Sequence, residues 1–144
     1  MGRALAIQLA KVGTKVIISA RSEERLIGLS EEIGSNTMVL PMDVSDRSSV
    51  QKAFSKLPKS LDGFIFVSGV YWHMSASSWD ETKAEEMVDV NLVGAMRCLA
   101  HLIPKFINQG FGHIVLTGSI AGYRGLPGSV GYCASKAGLM SLAE

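Results

Sequence analysis

The sequence predicts an α/β fold in which helices cover both faces of a parallel sheet, the doubly wound arrangement. Short apolar segments, such as residues 15–20, alternate with helical patterns along the whole chain. These segments are continuously apolar instead of alternating with polar residues, which is typical of strands buried on both faces of a parallel sheet. In such sheets the crossover connections are right-handed, and ligands bind at the edge where the strands end.

The predicted elements follow one another from the first residues onward. The chain begins inside a helix that ends near Gly13, and Ser22 is a suitable N-cap for the second helix. Asp46 is the predicted N-cap of the third helix, and two later helical patterns meet at Asn91. The predicted strands are residues 15–20, 37–42, 61–67 and 113–117, and the predicted helices are residues 1–12, 23–33, 47–57, 79–90, 91–108 and 129–143.

Length and composition exclude several classes of protein. The chain has 144 residues, of which 47% are hydrophobic and 19% charged, and its formal net charge is +1. This predicts a single soluble domain over residues 1–144, with none of the basic stripes of a nucleic-acid-binding protein. No apolar run approaches the length of a membrane span, and the N-terminus lacks the pattern of a signal peptide. Cys98 and Cys133 have no metal-ligand spacing and fit a reducing compartment, so we expect a cytoplasmic protein without a metal site.

The residues with the clearest chemical potential lie near the end of the sequence. Tyr132 and Lys136 are four residues apart, so a helix over residues 129–143 places them one turn apart on one face. A cation near a phenol favours the phenolate, which brings a tyrosine toward use as an acid or a base. Ser119 ends the last predicted strand, where its hydroxyl could lie beside the phenol. Without further support, a Tyr–Lys pair at this spacing is more often a solvated helix face.

Several ordered motifs resemble those of the short-chain dehydrogenase/reductase family. A strand leads into Thr-Gly-Ser-Ile-Ala-Gly at 117–122, then a loop with glycine and proline, then Tyr-Cys-Ala-Ser-Lys at 132–136. The similarity extends upstream through Asp-Val-Asn-Leu-Val-Gly at 89–94 and Asp-Val at 43–44 to the first six residues, and so covers essentially the whole chain. The resemblance implies a Rossmann-like fold and an NAD(P)-dependent oxidoreductase that interconverts an alcohol and a carbonyl compound.

The resemblance assigns four residues to the reaction. Tyr132 would be the acid/base that exchanges a proton with the substrate oxygen, and Lys136 would favour its ionised form and hold the nicotinamide ribose. Ser119 would hydrogen-bond the substrate oxygen and orient it. Asn91 would help a water molecule connect Lys136 to solvent. From the residues alone, Asn91 is a helix cap at a helix junction, and Ser119 is a turn residue.

Cofactor binding is expected where the predicted strands end. A carboxylate after the strand at residues 15–20 would favour NAD, but this position offers Arg21, a guanidinium suited to a ribose 2′-phosphate. We therefore expect NADP rather than NAD; the alternative is that Arg21 is exposed or pairs with one of the two glutamates that follow it. Asp43 resembles the family position that binds the adenine amino group, with a backbone group of Val44 beside it. The predicted cofactor-binding residues are Gly2, Arg21, Asp43, Val44, Gly69, Tyr132 and Lys136.

The sequence departs from the family pattern in three places. The family begins with a strand and a Thr-Gly-x-x-x-Gly-x-Gly turn, of which only Gly2 remains, and this strand would be central in a 3-2-1-4-5 sheet. The C-terminal strands of the family are also lacking, and the usual Asn-Asn-Ala-Gly segment is replaced by Phe-Val-Ser-Gly at 66–69. We therefore expect a partial NAD(P)-binding domain, a fragment with weak or absent dehydrogenase activity. The alternative is a catalytically silent fragment or an interaction module on the same fold.

Substrate and partners are less constrained. The resemblance implies a small-molecule alcohol or carbonyl substrate and no nucleic-acid or membrane partner. It also implies that the long helix from Asn91 and the helix of Tyr132 pack against a second copy, although core packing explains the apolar face of the long helix equally well. The side chains that could line an apolar pocket, or cover an edge of the core, are Tyr71, Trp72, His73, Tyr123 and Leu126.

Overall fold

The computed structural model describes all residues, Met1–Glu144, and confirms an α/β fold with parallel strands. The strands are shorter at their ends than the sequence predicts. The strands are β1 (Val16–Ile18), β2 (Thr37–Val39), β3 (Gly63–Phe66) and β4 (His113–Leu116), and the α-helices are α1 (Gly2–Lys11), α2 (Glu23–Ile33), α3 (Arg47–Phe54), α4 (Glu81–Val88), α5 (Gly94–Gln109) and α6 (Val130–Ala143).

The chain forms two compact units, Met1–Lys56 and Leu57–Glu144. The strands accordingly form two separate two-stranded sheets, β1 with β2 and β3 with β4. A single domain over residues 1–144 stays a prediction.

The first unit is built from local signals that the sequence contains. Val16 and Ile18 of β1 are buried with Leu26 of α2, and apolar residues of α1 pack against them. Ser22 caps α2 by accepting a hydrogen bond from the Arg25 backbone N–H, and the Asp46 carboxylate caps α3 in the same way. Both predicted N-caps are therefore confirmed.

The second unit corrects the prediction that every strand is buried on both faces. In β3 and β4 the register runs from Gly63 opposite His113 to Phe66 opposite Leu116. Most of the β4 side chains are exposed, including Val115, with 49% of its surface accessible. A parallel strand is buried only where neighbouring elements cover both of its faces, and in a sheet of two strands that cover is incomplete.

The two helices predicted to meet at Asn91 are one continuous helical run. The segment Asp89–Val93 is a π-helical turn between α4 and α5, so the helix widens there instead of ending. The run ends at Gly110, whose φ of 78° is the left-handed conformation that glycine adopts at a helix C-terminus. The helical run therefore needs no cap at Asn91.

The same helical run bears on the prediction that no segment is long enough to cross a membrane. Its 29 residues, Glu81–Gln109, are long and apolar enough to do so by length and composition. Core helices of soluble proteins pass the same test, and 44% of the most apolar window is buried within the protein. This feature is therefore weak evidence for a membrane span.

Candidate active site

Helix α6 and the end of β4 hold a cation beside a phenol. Lys136 is 4% exposed, and its Nζ donates a hydrogen bond of 2.7 Å to the backbone carbonyl of Thr117. The same Nζ lies 5.7 Å from the centroid of the Tyr132 ring. Burial lowers the pKa of the Lys136 ammonium. The spacing of four residues therefore places both side chains on one face, as predicted, and the bond to Thr117 fixes the ammonium group.

Glycines allow α6 to approach its neighbours closely. A Cβ at Gly131 would lie 2.7 Å from the backbone oxygen of Ala84 in α4. A Cβ at Gly122, in the short 3₁₀ turn after β4, would lie 2.8 Å from the backbone oxygen of Lys136. Contacts this short exclude any side chain, so the segment that follows β4 packs directly against the Lys136 turn of α6.

Ser119 begins the 3₁₀ turn Ile120–Gly122 and is partly buried. Its Oγ accepts a hydrogen bond of 3.2 Å from the Ala121 backbone N–H, so it caps this turn. A serine hydroxyl that accepts one hydrogen bond still has its proton to donate. Ser119 follows Thr117 by two residues, and Thr117 is the residue that holds Lys136.

Asn91 is a buried bridge and not a helix cap, which corrects the interpretation from the residues alone. It is 0% exposed within the π-helical turn. Its Oδ1 accepts a hydrogen bond of 2.7 Å from the Val70 N–H, and its Nδ2 donates to the Val70 carbonyl at 3.0 Å and to Ser135 Oγ at 3.1 Å. Asn91 therefore reaches α6 through Ser135, while the one hydrogen bond of the Lys136 ammonium goes to Thr117.

Ser135 was missed as a site residue by the sequence reasoning. It is 0% exposed, and its Oγ donates a hydrogen bond of 2.8 Å to the backbone carbonyl of Tyr132. A serine on a helix commonly donates a hydrogen bond to the backbone carbonyl three or four residues before it. This spacing within the segment 132–136 was the available signal, but the partner Asn91 is 44 residues away and could not be identified from it.

Tyr71 is a second aromatic residue beside Tyr132. The two ring centroids are 5.2 Å apart with an interplanar angle of 77°, an edge-to-face arrangement. The Tyr71 hydroxyl lies 3.2 Å from the Oγ of the buried Ser129 and 3.5 Å from Nδ1 of His73. The loop after β3 is thus joined to the beginning of α6.

The first unit contains a cavity of about 510 Å³ next to the predicted cofactor residues. Arg21 is exposed, which agrees with one part of the alternative, and it forms no ion pair with Glu23 or with Glu24, which argues against the other part. Asp43 is oriented by Ser45, whose N–H and Oγ both donate to its Oδ1, at 2.9 and 2.6 Å. The charged residues that line the cavity are Arg21, Lys52, Lys56, Glu23 and Asp43, so cations outnumber carboxylates.

The remaining predicted cofactor residues lie at the start of α1 and in the loops after β2 and β3. Gly2 is the first residue of α1, Val44 is buried, and Gly69 lies against Asn91, where a Cβ would be 3.3 Å from Oδ1. The excess of cations around Arg21 and the oriented Asp43 carboxylate fit the phosphate and the adenine of a phosphorylated dinucleotide.

Comparison with known proteins gives a consistent result. The chain matches a family described as short chain dehydrogenase over residues 1–144. It is 33% identical to the 3-oxoacyl-[acyl-carrier-protein] reductase FabG of Aquifex aeolicus and 31% identical to an uncharacterised oxidoreductase of Listeria monocytogenes, in both cases over 100% of the chain. The chain spans 61% and 60% of the length of these relatives.

Solved structures give the same fold. Serine dehydrogenase from Escherichia coli superposes with a TM-score of 0.91 at 28% identity, covering 99% of this chain and 68% of that one. The closed form of a serine dehydrogenase complexed with NADP⁺ also gives a TM-score of 0.91 at 28% identity, covering 98% and 59%.

Proposed function

The chain belongs to the short-chain dehydrogenase family, and on that premise we propose that it carries the acid/base site of an NAD(P)-dependent enzyme that interconverts an alcohol and a carbonyl compound. One observation supports this most directly: the buried Lys136 ammonium lies 5.7 Å from the Tyr132 ring and is fixed on Thr117. A solvated helix face would leave such a lysine in water, where it could adopt many conformations.

Each of the residues has a defined task in the proposed reaction. Tyr132 gives its proton to the substrate oxygen during carbonyl reduction and takes one during alcohol oxidation. Lys136 stabilises the phenolate that remains, because an opposite charge nearby favours the ionised form. Ser119 donates a hydrogen bond to the same substrate oxygen and orients it. A bound nicotinamide supplies or accepts the hydride.

The role expected for Asn91 changes with its contacts. All the polar atoms of its side chain are engaged by Val70 and Ser135. A water relay from Lys136 would therefore have to use the Asn91 backbone and not its amide. We propose that the amide mainly holds the loop after β3 and the turn of α6 that carries Tyr132.

The proposed cofactor is NADP rather than NAD. Arg21 would hold the ribose 2′-phosphate, with further positive charge from Lys52 at the same cavity. Asp43 would accept from the adenine amino group through Oδ2, because its two hydrogen bonds fall on Oδ1, with the Val44 backbone beside it. Gly2 would offer the N-terminus of α1 to an anion, and Gly69 would allow the backbone to approach the cofactor.

Carbonyl-dependent oxidation of NADPH tests the acid/base proposal. It would be measured on this chain and on the longest reading frame that contains it. Tyr132→Phe in the active form should lower kcat about 100-fold or more, the range of general acid/base catalysis, while NADPH binding is retained. Turnover that survives this change contradicts the proposal. NADPH binding with no turnover in any form supports the alternative, a catalytically silent module.

Nucleotide preference tests the cofactor proposal separately. Binding of NADPH and NADH is compared by calorimetry before and after Arg21→Asp, which replaces the guanidinium by the carboxylate that favours NAD. We expect the preference for NADPH to be lost or reversed. An unchanged preference would show that Arg21 does not read the 2′-phosphate.

Three broader expectations are also proposals. We propose that residues 1–144 act as one partial dinucleotide-binding domain, that the protein works in the cytoplasm, and that it forms a homo-oligomer. Free, buried Cys98 and Cys133 support a reducing compartment. The exposed apolar side chains of α5, including Ile107 at 72%, support self-association. Sedimentation of the chain at several concentrations would decide the last point.

A further inference from the structure

We propose that Tyr71 forms a wall of the substrate site beside Tyr132 and selects substrates that carry a flat apolar group, aryl by preference, next to the carbonyl or alcohol carbon. This inference rests on the proposed function, because it takes Tyr132 as the acid/base. It adds a residue that determines specificity and a class of substrate.

The Tyr71 ring lies directly beside the Tyr132 ring. Its centroid is 5.2 Å from that of Tyr132, at an interplanar angle of 77°. This is the favoured edge-to-face geometry of an aromatic pair. The two rings are therefore in contact, and the Tyr71 ring forms part of the immediate surroundings of Tyr132.

Tyr71 is accessible to solvent although its hydroxyl has a buried partner. Half of the residue, 50%, is accessible, yet its hydroxyl is 3.2 Å from Oγ of Ser129, which is only 5% exposed. Because the polar end is directed at a buried partner, the accessible surface consists largely of ring carbons. Such a surface favours apolar and aromatic groups over polar ones.

The loop that carries Tyr71 is held by hydrogen bonds on both sides of this residue. On one side, both backbone groups of Val70 are bonded to the Asn91 amide. On the other side, the Met74 N–H donates to the Gly128 carbonyl at 2.9 Å. The His73 ring occupies the space beside Gly128, where a Cβ would lie 2.0 Å from its Cε1. An exposed aromatic ring held at both ends is preorganised for binding, because little freedom is lost when a ligand arrives.

A fourth observation extends the apolar surface. Leu126 is 43% exposed, its N–H donates to Cys133 Sγ at 3.3 Å, and its carbonyl accepts from the Ser129 N–H. It is thus fixed against the same first turn of α6 that Tyr71 contacts through Ser129. Leu126 thus adds exposed apolar surface beside the start of α6, which disfavours substrates with charged groups on this side.

The experiment uses the tyrosines as probes, because the chain has only 3 of them. The chain is prepared with tyrosine labelled by carbon-13 at the ring carbon that bears the hydroxyl, and the signals are assigned with single Tyr→Phe variants. Acetophenone is titrated into the sample, and acetone serves as the matched ketone without a ring. We expect the Tyr71 and Tyr132 signals to shift together with one Kd for acetophenone, and acetone to bind much more weakly.

Substitutions then separate the ring from the hydroxyl. Tyr71→Ala should weaken acetophenone binding about fivefold, the strength of one aromatic pair, as reported by the Tyr132 signal. Tyr71→Phe keeps the ring and should bind acetophenone with a Kd within about twofold of that of the unaltered chain. This variant keeps the test valid if Tyr71→Ala disorders the loop. Trp79→Ala removes another aromatic residue, 55% exposed, as the control and should change nothing.

The outcomes distinguish this inference from the proposed function. An unchanged Kd in Tyr71→Ala, equal binding of the two ketones, or no shift up to the solubility limit overturns the inference. Turnover that depends on Tyr132 but shows no Tyr71-dependent preference for aryl ketones overturns the inference alone. Binding that depends on Tyr71 without any Tyr132-dependent turnover supports the wall and contradicts the proposed function.

Discussion

Replacing Asn91 by alanine should destabilise the second unit more than any other single removal of a polar side chain near the site. The amide is 0% exposed and connects three groups in one place: the Val70 N–H, the Val70 carbonyl and Ser135 Oγ. Alanine cannot replace any of these hydrogen bonds. A water molecule has little room to replace the amide beside the fully buried Ser135.

The expected size follows from these contacts. A hydrogen bond contributes about 1 kcal/mol net, and leaving a buried partner unsatisfied costs about 1–3 kcal/mol. Val70 is only partly buried, so water can satisfy some of its lost bonding, whereas Ser135 is fully buried. The free energy of unfolding should therefore fall by about 3–5 kcal/mol, a large share of the roughly 5–15 kcal/mol that typically stabilises a domain.

Urea unfolding followed by far-ultraviolet circular dichroism measures this change. Asn108→Ala is the matched control, because Asn108 is an exposed asparagine on the helix that follows the π turn, and it should cost less than about 0.5 kcal/mol. If Asn91→Ala does not fold, Ser135→Ala removes one of the three partners and should cost about 1–2 kcal/mol. A loss for Asn91→Ala no larger than that of the control would refute the reasoning.

Two further predictions concern stability. Burial raises the pKa of the Cys98 thiol from 9.0 to about 12, so the folded chain keeps a proton that the unfolded chain releases above pH 9. The free energy of unfolding should therefore fall as the pH rises between these two pKa values, by about 2 kcal/mol near pH 10.5. Unfolding measured as a function of pH should show a smaller fall in Cys98→Ala. Burial lowers the pKa of Lys136, which acts with the opposite sign, so the slope must be compared between the two chains and not taken from one. Gly131→Ala should lower the free energy of unfolding in urea by about 1–3 kcal/mol, because its Cβ would lie 2.7 Å from the Ala84 backbone oxygen. Gly28→Ala, at a helical position where a Cβ meets no atom within 4 Å, should raise the same free energy by about 0.5–1 kcal/mol. Equal effects of the two substitutions would contradict the packing of α6.

Local chemistry made much of the fold predictable. The N-caps Ser22 and Asp46 act on backbone groups two or three residues away, so the sequence contains both partners of each contact. The β-branched apolar runs likewise indicate strands correctly. The sequence does not show which elements pack against each strand. Whether β4 is buried depends on elements far along the chain, and its side chains are mostly exposed.

In the candidate site too, local contacts are predictable from the sequence and long-range contacts are not. The spacing of Tyr132 and Lys136 predicts that they share a face, because helix geometry alone determines it. The bond from Lys136 to Thr117 spans 19 residues, and the ring contact between Tyr71 and Tyr132 joins the loop after β3 to helix α6 with no sequence signal in common. Long-range partners of this kind decide what a polar residue does, which is why the sequence alone predicts a helix cap at Asn91.

The identity of Asn91 follows from the group that it must satisfy. Both the N–H and the carbonyl of Val70 point at it, so the side chain has to offer an acceptor and a donor side by side, which an amide does and a carboxylate or a hydroxyl group does less well. Val70 directly precedes Tyr71 in the sequence, and the Ser135 hydroxyl donates a hydrogen bond to the Tyr132 carbonyl. The proposed wall and the proposed acid/base therefore depend on one anchor, and loosening it should disturb both rings together. Their two tyrosine signals should consequently change in parallel when Asn91 is altered, a coupling that a purely local role for either tyrosine does not produce.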